Sequence, residues 1–265
     1  MGAPHSSTFY TEYEDHQQAI NHLLGIDLPK FVMKITQGKP IPHEPINYSS
    51  MRYLKLPSKV CALEGPNKND RFDIVVVVKT GVFNFERRRI HREAHAHIKD
   101  RQLDGFRIGI VYSVGTQRKI NSNKFNITSG LTLELFGKNG KLLKEKSPNE
   151  TQEQLYREVK EYGDLIVGDY EDTYYNLTLK MMHSYYWFAY FCHPSKPILI
   201  YLDDDFAFNA TYLRRFVKGL SPYQRENLVA GRPKWHGPVV RFGNANFGWK
   251  WGQLKSEEPW NFHAP

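Results

Sequence analysis

At 265 residues, 40% of them hydrophobic and 14% aromatic, the chain is long enough to bury the core of one ordinary domain, and its recurring apolar runs exclude fibrous and disordered classes. A formal net charge of +8 suits an anionic partner, whether nucleic acid, a membrane surface or a phosphorylated small molecule, and suits equally a soluble protein that is simply basic. Two cysteines, Cys61 and Cys192, exclude a disulfide framework and a cysteine-based zinc site, and leave a single bridge between them open.

Residues 1–60 show little regular period, carry the Pro-spaced "KPIPHEPINYSS", and read as a stem or linker ahead of a domain over 61–265. The opening "MGAPHSSTFYTEYEDH" lacks the apolar centre of a signal peptide, and no run reaches the roughly 18 apolar residues of a spanning helix. The pattern changes at Phe72. "FDIVVVVK" is a short apolar run rich in β-branched residues, as expected of a strand buried on both faces. A helix follows over "NFERRRIHREAHAHI", then a second buried strand in "GFRIGIVYSVG". The polar stretch 116–149, with a turn at "GKNGK", predicts an inserted hairpin or loop.

Next, "TQEQLYREVKEYG" predicts a helix closed by Gly163. "DLIVG" is a third strand, "YYNLTLKMMHSYYWFAYF" a long apolar helix, and "PILIYL" a fourth strand. Asn209 caps a helix over "ATYLRRFVKG". Strands alternating with helices imply an α/β fold with a mainly parallel, Rossmann-like sheet, in which ligands bind at the carboxyl ends of the strands.

The fourth strand runs into Asp203, Asp204 and Asp205, at such an end. Three adjacent carboxylates repel one another and call for a compensating cation. A solvated turn would not place Phe206 and Phe208 directly after, and an EF-hand needs alternate acidic spacing and a glycine that are absent. An Asp-x-Asp site fits: along an extended chain Asp203 and Asp205 share a side and can reach one hard ion, Mg²⁺ or Mn²⁺, bridging to a diphosphate.

Three other features carry competing readings. His91 and His95 share a helix face, with His97 nearby, but Arg92 breaks the zincin spacing and a polar helix face is the simpler reading. The run "ERRRIHR" suits nucleic acid, a bidentate diphosphate clamp or a solvated face, and no nucleic-acid-binding signature accompanies it. Lys180, inside the apolar helix, either snorkels or meets an acid such as Asp169 or Asp172. Five N-glycosylation acceptors begin at Asn47, Asn126, Asn149, Asn176 and Asn209.

"YGDLIVGDYEDTYYNLTLK", the following Cys192 and "YLDDDFAFN" together resemble the β-1,3-galactosyltransferase family, which includes related N-acetylglucosaminyltransferases. "NFERRRIHREAH" is similar to its arginine-rich segment without a gap, and "GPVVR", "KW" and "PWNF" match later blocks in order, so the resemblance runs from Cys61 to Pro265. Departures are His91, Ala94 and His95 where the family has Ile, Thr and Trp, and Tyr201 and Leu202 on the approach to the Asp cluster.

The resemblance implies a GT-A fold and inverting transfer of galactose or N-acetylglucosamine from a UDP-sugar to a glycan on a glycoprotein or glycolipid, in the Golgi lumen. It implies Mn²⁺, or Mg²⁺, on Asp205 and Asp203, with Arg88, Arg92 and Asp204 at the nucleotide-sugar. No general base is identified; it is expected beyond Pro265, in a segment missing from this sequence, as is the family's N-terminal membrane anchor. The expectation is therefore a fold incomplete at its C-terminal end, with impaired turnover and no nucleic acid partner. The alternative is a non-catalytic lumenal protein that binds UDP-sugar or glycan.

Overall fold

A computed structural model of the chain describes residues 37, 39 and 51–231, with breaks at 63–64, 68–69, 99–101, 104, 129–130, 136, 193–195 and 229. "GPVVR", "KW", "PWNF" and Asn47 lie outside the described residues. The chain divides into two compact units: Met1–Ser50 with Asn123–Gly140 and Lys234–Pro265, and Met51–Ser122 with Lys141–Pro233. In the first, the described structure includes the antiparallel hairpin of β5 (Lys124–Thr128) and β6 (Leu131–Glu134). Asn123 braces its open end, giving its amide to Glu134 and to Leu135 O, each at 2.9 Å.

The second unit is built on a sheet. β2 (Ile74–Lys79) pairs in parallel with β4 (Phe106–Thr116) on one side and with β8 (Ile198–Asp203) on the other. β4 continues in parallel to β7 (Leu165–Glu171), and β1 (Tyr53–Lys55) closes that edge antiparallel. A two-residue β3 (Gln102–Leu103) pairs antiparallel with β4. Chain order β2, β4, β7, β8 thus becomes spatial order β7-β4-β2-β8. The chain steps outward twice from β2 and then returns to its other side, so the connection reverses between β2 and β8.

Why β2 lies inside the sheet is legible in its side chains. Ile74, Val76 and Val78 enter one hydrophobic layer and Val75 and Val77 the opposite one, all with no exposed surface. Full burial of each contributes about 1.5–3 kcal/mol, and only a strand covered on both faces realises it. The first layer is covered by α1 (Phe85–Ala94), α3 (Pro148–Tyr162) and α5 (Ala210–Lys218), through Phe85, Leu155 and Val217. The second is covered by α4 (Leu177–Trp187), which runs on as a π-helical turn Phe188–Cys192 and buries Trp187 and Cys192. Gly168 on β7 permits that approach: a Cβ there would meet Tyr170 and His183 at 2.5 and 2.7 Å.

Helix ends follow the expected chemistry. Gly163 closes α3 at φ 64°, and the Asn209 side chain accepts the Tyr212 N–H at 2.9 Å to open α5. Ser221 opens the short α6 (Pro222–Glu226) with a capping box.

Two expectations are corrected. Tyr53–Lys55, within the span read as stem, is a strand, anchored by the Tyr53 hydroxyl donating to His183 O at 2.7 Å. "GKNGK" is no turn: it opens α2 (Gly137–Glu145), where helix-forming "KLLKE" continues the segment, and the hairpin turns earlier, between Thr128 and Leu131. Cys61 and Cys192 form a disulfide across a sequence separation of 131.

Candidate functional site

The three aspartates lie where β8 ends beside β2. Lys79 and Asp203 are register partners on the two parallel strands, at the carboxyl edge and at the reversal of strand order. That crevice is where open α/β sheets bind ligands. The chain is not extended through the cluster. After Asp203 it turns, with Phe206 N–H donating to Asp203 O at 3.1 Å. The turn still separates the side chains, leaving Asp203 and Asp205 exposed and turning Asp204 inward, with 9% of its side chain accessible.

Asp204 is the anchor. Its carboxylate accepts from Thr80 Oγ1 at 2.6 Å, Asn84 Nδ2 at 2.7 Å and Arg87 Nη1 at 3.1 Å, while its N–H donates to Lys79 O at 3.1 Å. Asn84 occupies the N-cap position of α1 but its side chain makes no capping bond; its amide Nδ2 donates to Asp204. The first turn of α1 is thereby fixed against the carboxylate turn. Asp203 pairs with Lys79 Nζ at 3.0 Å. Asp205 has no hydrogen bond or ion pair among the described residues.

A second polar group lies beneath. Lys180 Nζ pairs with Asp172 at 2.7 Å, both side chains under 5% exposed, and donates to Thr80 O. Asp172 also accepts the Gly115 N–H at 3.0 Å, so one buried ion pair ties the ends of β2, β4 and β7 together. Asp169, the other partner considered for Lys180, pairs at the surface with Arg52 instead. A buried pair of this kind persists because removing either member strands the other charge.

Arg88 and Arg92 point elsewhere. Arg88 is fully buried, bonded through Nε and Nη2 to Glu158 at 2.8 and 2.7 Å and through Nη1 to Gly81 O at 2.7 Å. Arg92 grips Asp164 bidentately at 2.8 Å, gives a third bond to Glu158, and stacks between the rings of Tyr112 and Tyr162. Both fasten α1 to the end of α3 and the start of β7. The arginine that faces the aspartates is Arg87, 53% exposed.

His91, His95 and His97 do not converge on a metal, and among the described residues no three His, Cys, Asp or Glu side chains do. His91 Nδ1 lies 2.9 Å from the Tyr112 hydroxyl, and burial, reinforced by neighbouring His95, pushes its pKa down to about 4. His95 stacks on Phe208 with ring centres 4.2 Å apart and its Nδ1 donates to His91 O. The pair holds the loop that leaves the aspartate turn.

Sequence reasoning missed Lys79, Thr80 and Asn84, and did not single out Arg87 within the run "ERRRIHR". The available signal was position: they occupy the end of β2 and the first turn of α1, and Asn84 and Arg87, three apart, share a helix face.

Residues 142–263 match the family model described as galactosyltransferase. That stretch, just under half of the chain, is similar to the galactosyltransferase family. The chain is 35% identical over 91 residues to lactosylceramide 1,3-N-acetyl-beta-D-glucosaminyltransferase B of Xenopus laevis, covering 34% of this chain and 24% of that protein. It is 27% identical over 168 residues to UDP-GlcNAc:betaGal beta-1,3-N-acetylglucosaminyltransferase 7 of Rattus norvegicus, covering 63% and 36%. With beta-1,3-galactosyltransferase 5 of Homo sapiens it shares 33% identity over 119 residues, 45% and 36% of the two chains. The matched stretch thus spans about a quarter to a third of these relatives' length. The aspartate turn lies inside the segment matched by the galactosyltransferase model, whereas Lys79, Thr80, Asn84 and Arg87 lie before it.

Proposed function

We propose that the chain is an inverting β-1,3-glycosyltransferase that moves galactose or N-acetylglucosamine from a UDP-sugar to a glycan on a protein or lipid. The observation that carries this reading is the turn at the β2–β8 reversal, which sends two aspartates outward around one that is locked in place. Two exposed carboxylates fit a hard divalent ion that keeps waters and completes its shell with phosphate oxygens, rather than an ion caged by protein. Asp205 and Asp203 would hold Mn²⁺ or Mg²⁺, and when bound the ion would neutralise charge developing on the departing UDP.

The chain's own residues do the rest. Asp204, through Thr80, Asn84 and Arg87, keeps the turn in register with α1. Lys79 offsets the charge of Asp203, so Asp205 is the carboxylate most available to a cation. The exposed guanidinium of Arg87 takes the diphosphate-facing role first expected of Arg88 and Arg92, whose donors are spent on Glu158, Asp164 and backbone carbonyls. The acceptor hydroxyl must lose its proton as the new bond forms, and no residue is assigned to that step.

A lumenal setting such as the Golgi accords with the Cys61–Cys192 disulfide, since such bonds persist in oxidising compartments. Among the described residues no helix is long and apolar enough to cross a membrane. The test is calorimetric UDP binding with and without Mn²⁺, comparing the chain with Asp205→Ala. Mn²⁺-dependent binding that the variant loses is expected; binding that is absent, or indifferent to Asp205, would reject the site.

A further inference from the structure

The five glycosylation acceptors are equivalent as sequence and unequal in the structure. Asn176, in the turn between β7 and α4, donates its amide to Glu171 O at 2.9 Å beside the buried Asp172–Lys180 pair. Asn209 is exposed, but its Oδ1 caps α5 and it follows directly on the loop leaving the aspartate turn, where a bulky substituent would crowd the carboxylates. Asn126 lies on β5 with its side chain outside the description, and Asn47 is outside the described residues.

Asn149 differs from these. It is exposed, has no partner among the described residues, and is the second residue of α3 behind Ser147 and Pro148. The buried side chains of α3 are Thr151, Leu155 and Glu158. At 3.6 residues per turn, Asn149 stands about 150° around the helix from the middle of that stripe. Its neighbours on the outer face, Gln152, Glu153 and Tyr156, are exposed as well.

We propose that Asn149 carries an N-linked oligosaccharide and that Asn176 stays bare. The proposal rests on the lumenal placement given above. In the transfer, Nδ2 of Asn149 attacks the anomeric carbon of a lipid-diphosphate-linked oligosaccharide. The C–N bond forms, the C–O bond breaks with its electron pair passing to the departing lipid diphosphate, and the amide proton passes to solvent. Thr151, the third residue of the acceptor sequence, is 3% exposed, and its hydroxyl donates to Ser147 O at 3.1 Å in the folded protein. Transfer therefore belongs to the chain before α3 packs. The finished helix accommodates the sugar, because its buried face is untouched.

The test is secretion of the full chain from animal cells behind a cleavable signal, followed by peptide mapping after a peptide-N-glycosidase that turns each glycosylated asparagine into aspartate. Conversion at Asn149 and none at Asn176 is expected. Asn149→Gln should lose the mass of one glycan, and Asn176→Gln should lose none. A bare Asn149 in secreted protein with the Cys61–Cys192 bridge formed, or conversion at Asn176, would overturn the assignment. The added signal makes the result independent of how the native chain reaches a lumen, so failure would count against the site and not against the placement.

Discussion

Replacing Glu158 by Gln removes the one negative charge that lies between two guanidinium groups. Arg88 has no accessible surface and Glu158 only 7%, with bonds of 2.7 and 2.8 Å between them and another of 2.8 Å to Arg92. Breaking a buried ion pair from one side costs about 3–5 kcal/mol, because the stranded charge is left without compensation. Gln keeps the shape and one acceptor, and Arg92 keeps Asp164, so the lower end applies, about 3 kcal/mol. Domains of ordinary size have about 5–15 kcal/mol in total, so the loss is a large fraction. Equilibrium unfolding in urea without reductant should show a lower midpoint at unchanged slope. The double variant Arg88→Met, Glu158→Leu should recover most of the loss, since well-packed apolar replacements of buried pairs are often neutral. A loss below about 1 kcal/mol for Glu158→Gln, the scale of exposed pairs, would refute the reasoning and mean that water reaches the cluster.

Two further outcomes are expected. His91, held at about 4 instead of 6.5 by burial, is neutral in the native state while the unfolded chain takes up its proton, so its stabilisation is complete above pH 6.5 and lost as pH falls towards 4. At ~1.4 kcal/mol per pH unit the native state should lose about 3 kcal/mol over that window, and the difference in stability-against-pH curves between the protein and His91→Gln should isolate it; parallel curves would exclude His91 as the cause. Replacing Cys61 and Cys192 by Ala should cost about 2–5 kcal/mol, because the bridge closes a long loop in the unfolded chain, and urea midpoints that do not move would show that it carries no stability.

Much of the architecture was legible in the chain. "FDIVVVVK", "GFRIGIVYSVG" and "PILIYL" can bury their β-branched residues only in a covered sheet, and the helices between them force parallel pairing. Gly163 and Asn209 marked helix ends because each does local chemistry that sequence carries directly. The short strand at Tyr53–Lys55 was not legible: three residues carry no period, and only pairing with β7 makes them a strand.

The site divides along the same line. By itself the sequence determined that three carboxylates stand at the end of an apolar strand, where an apolar run passes directly into Asp203, Asp204 and Asp205. It also supplied four arginines on one helix, Arg87, Arg88, Arg89 and Arg92, chemically alike. Only the tertiary structure decided which of them faces the carboxylates. Arg88 and Arg92, four apart, share one face of α1, and Glu158 and Asp164, contributed by distant segments, claim them, while Arg87, about 100° around the helix from Arg88, meets Asp204. Likewise the strand reversal that brings Lys79 beside Asp203 joins residues far apart in the chain. Composition and spacing record which groups exist; their partners depend on long-range packing, which local pattern does not encode.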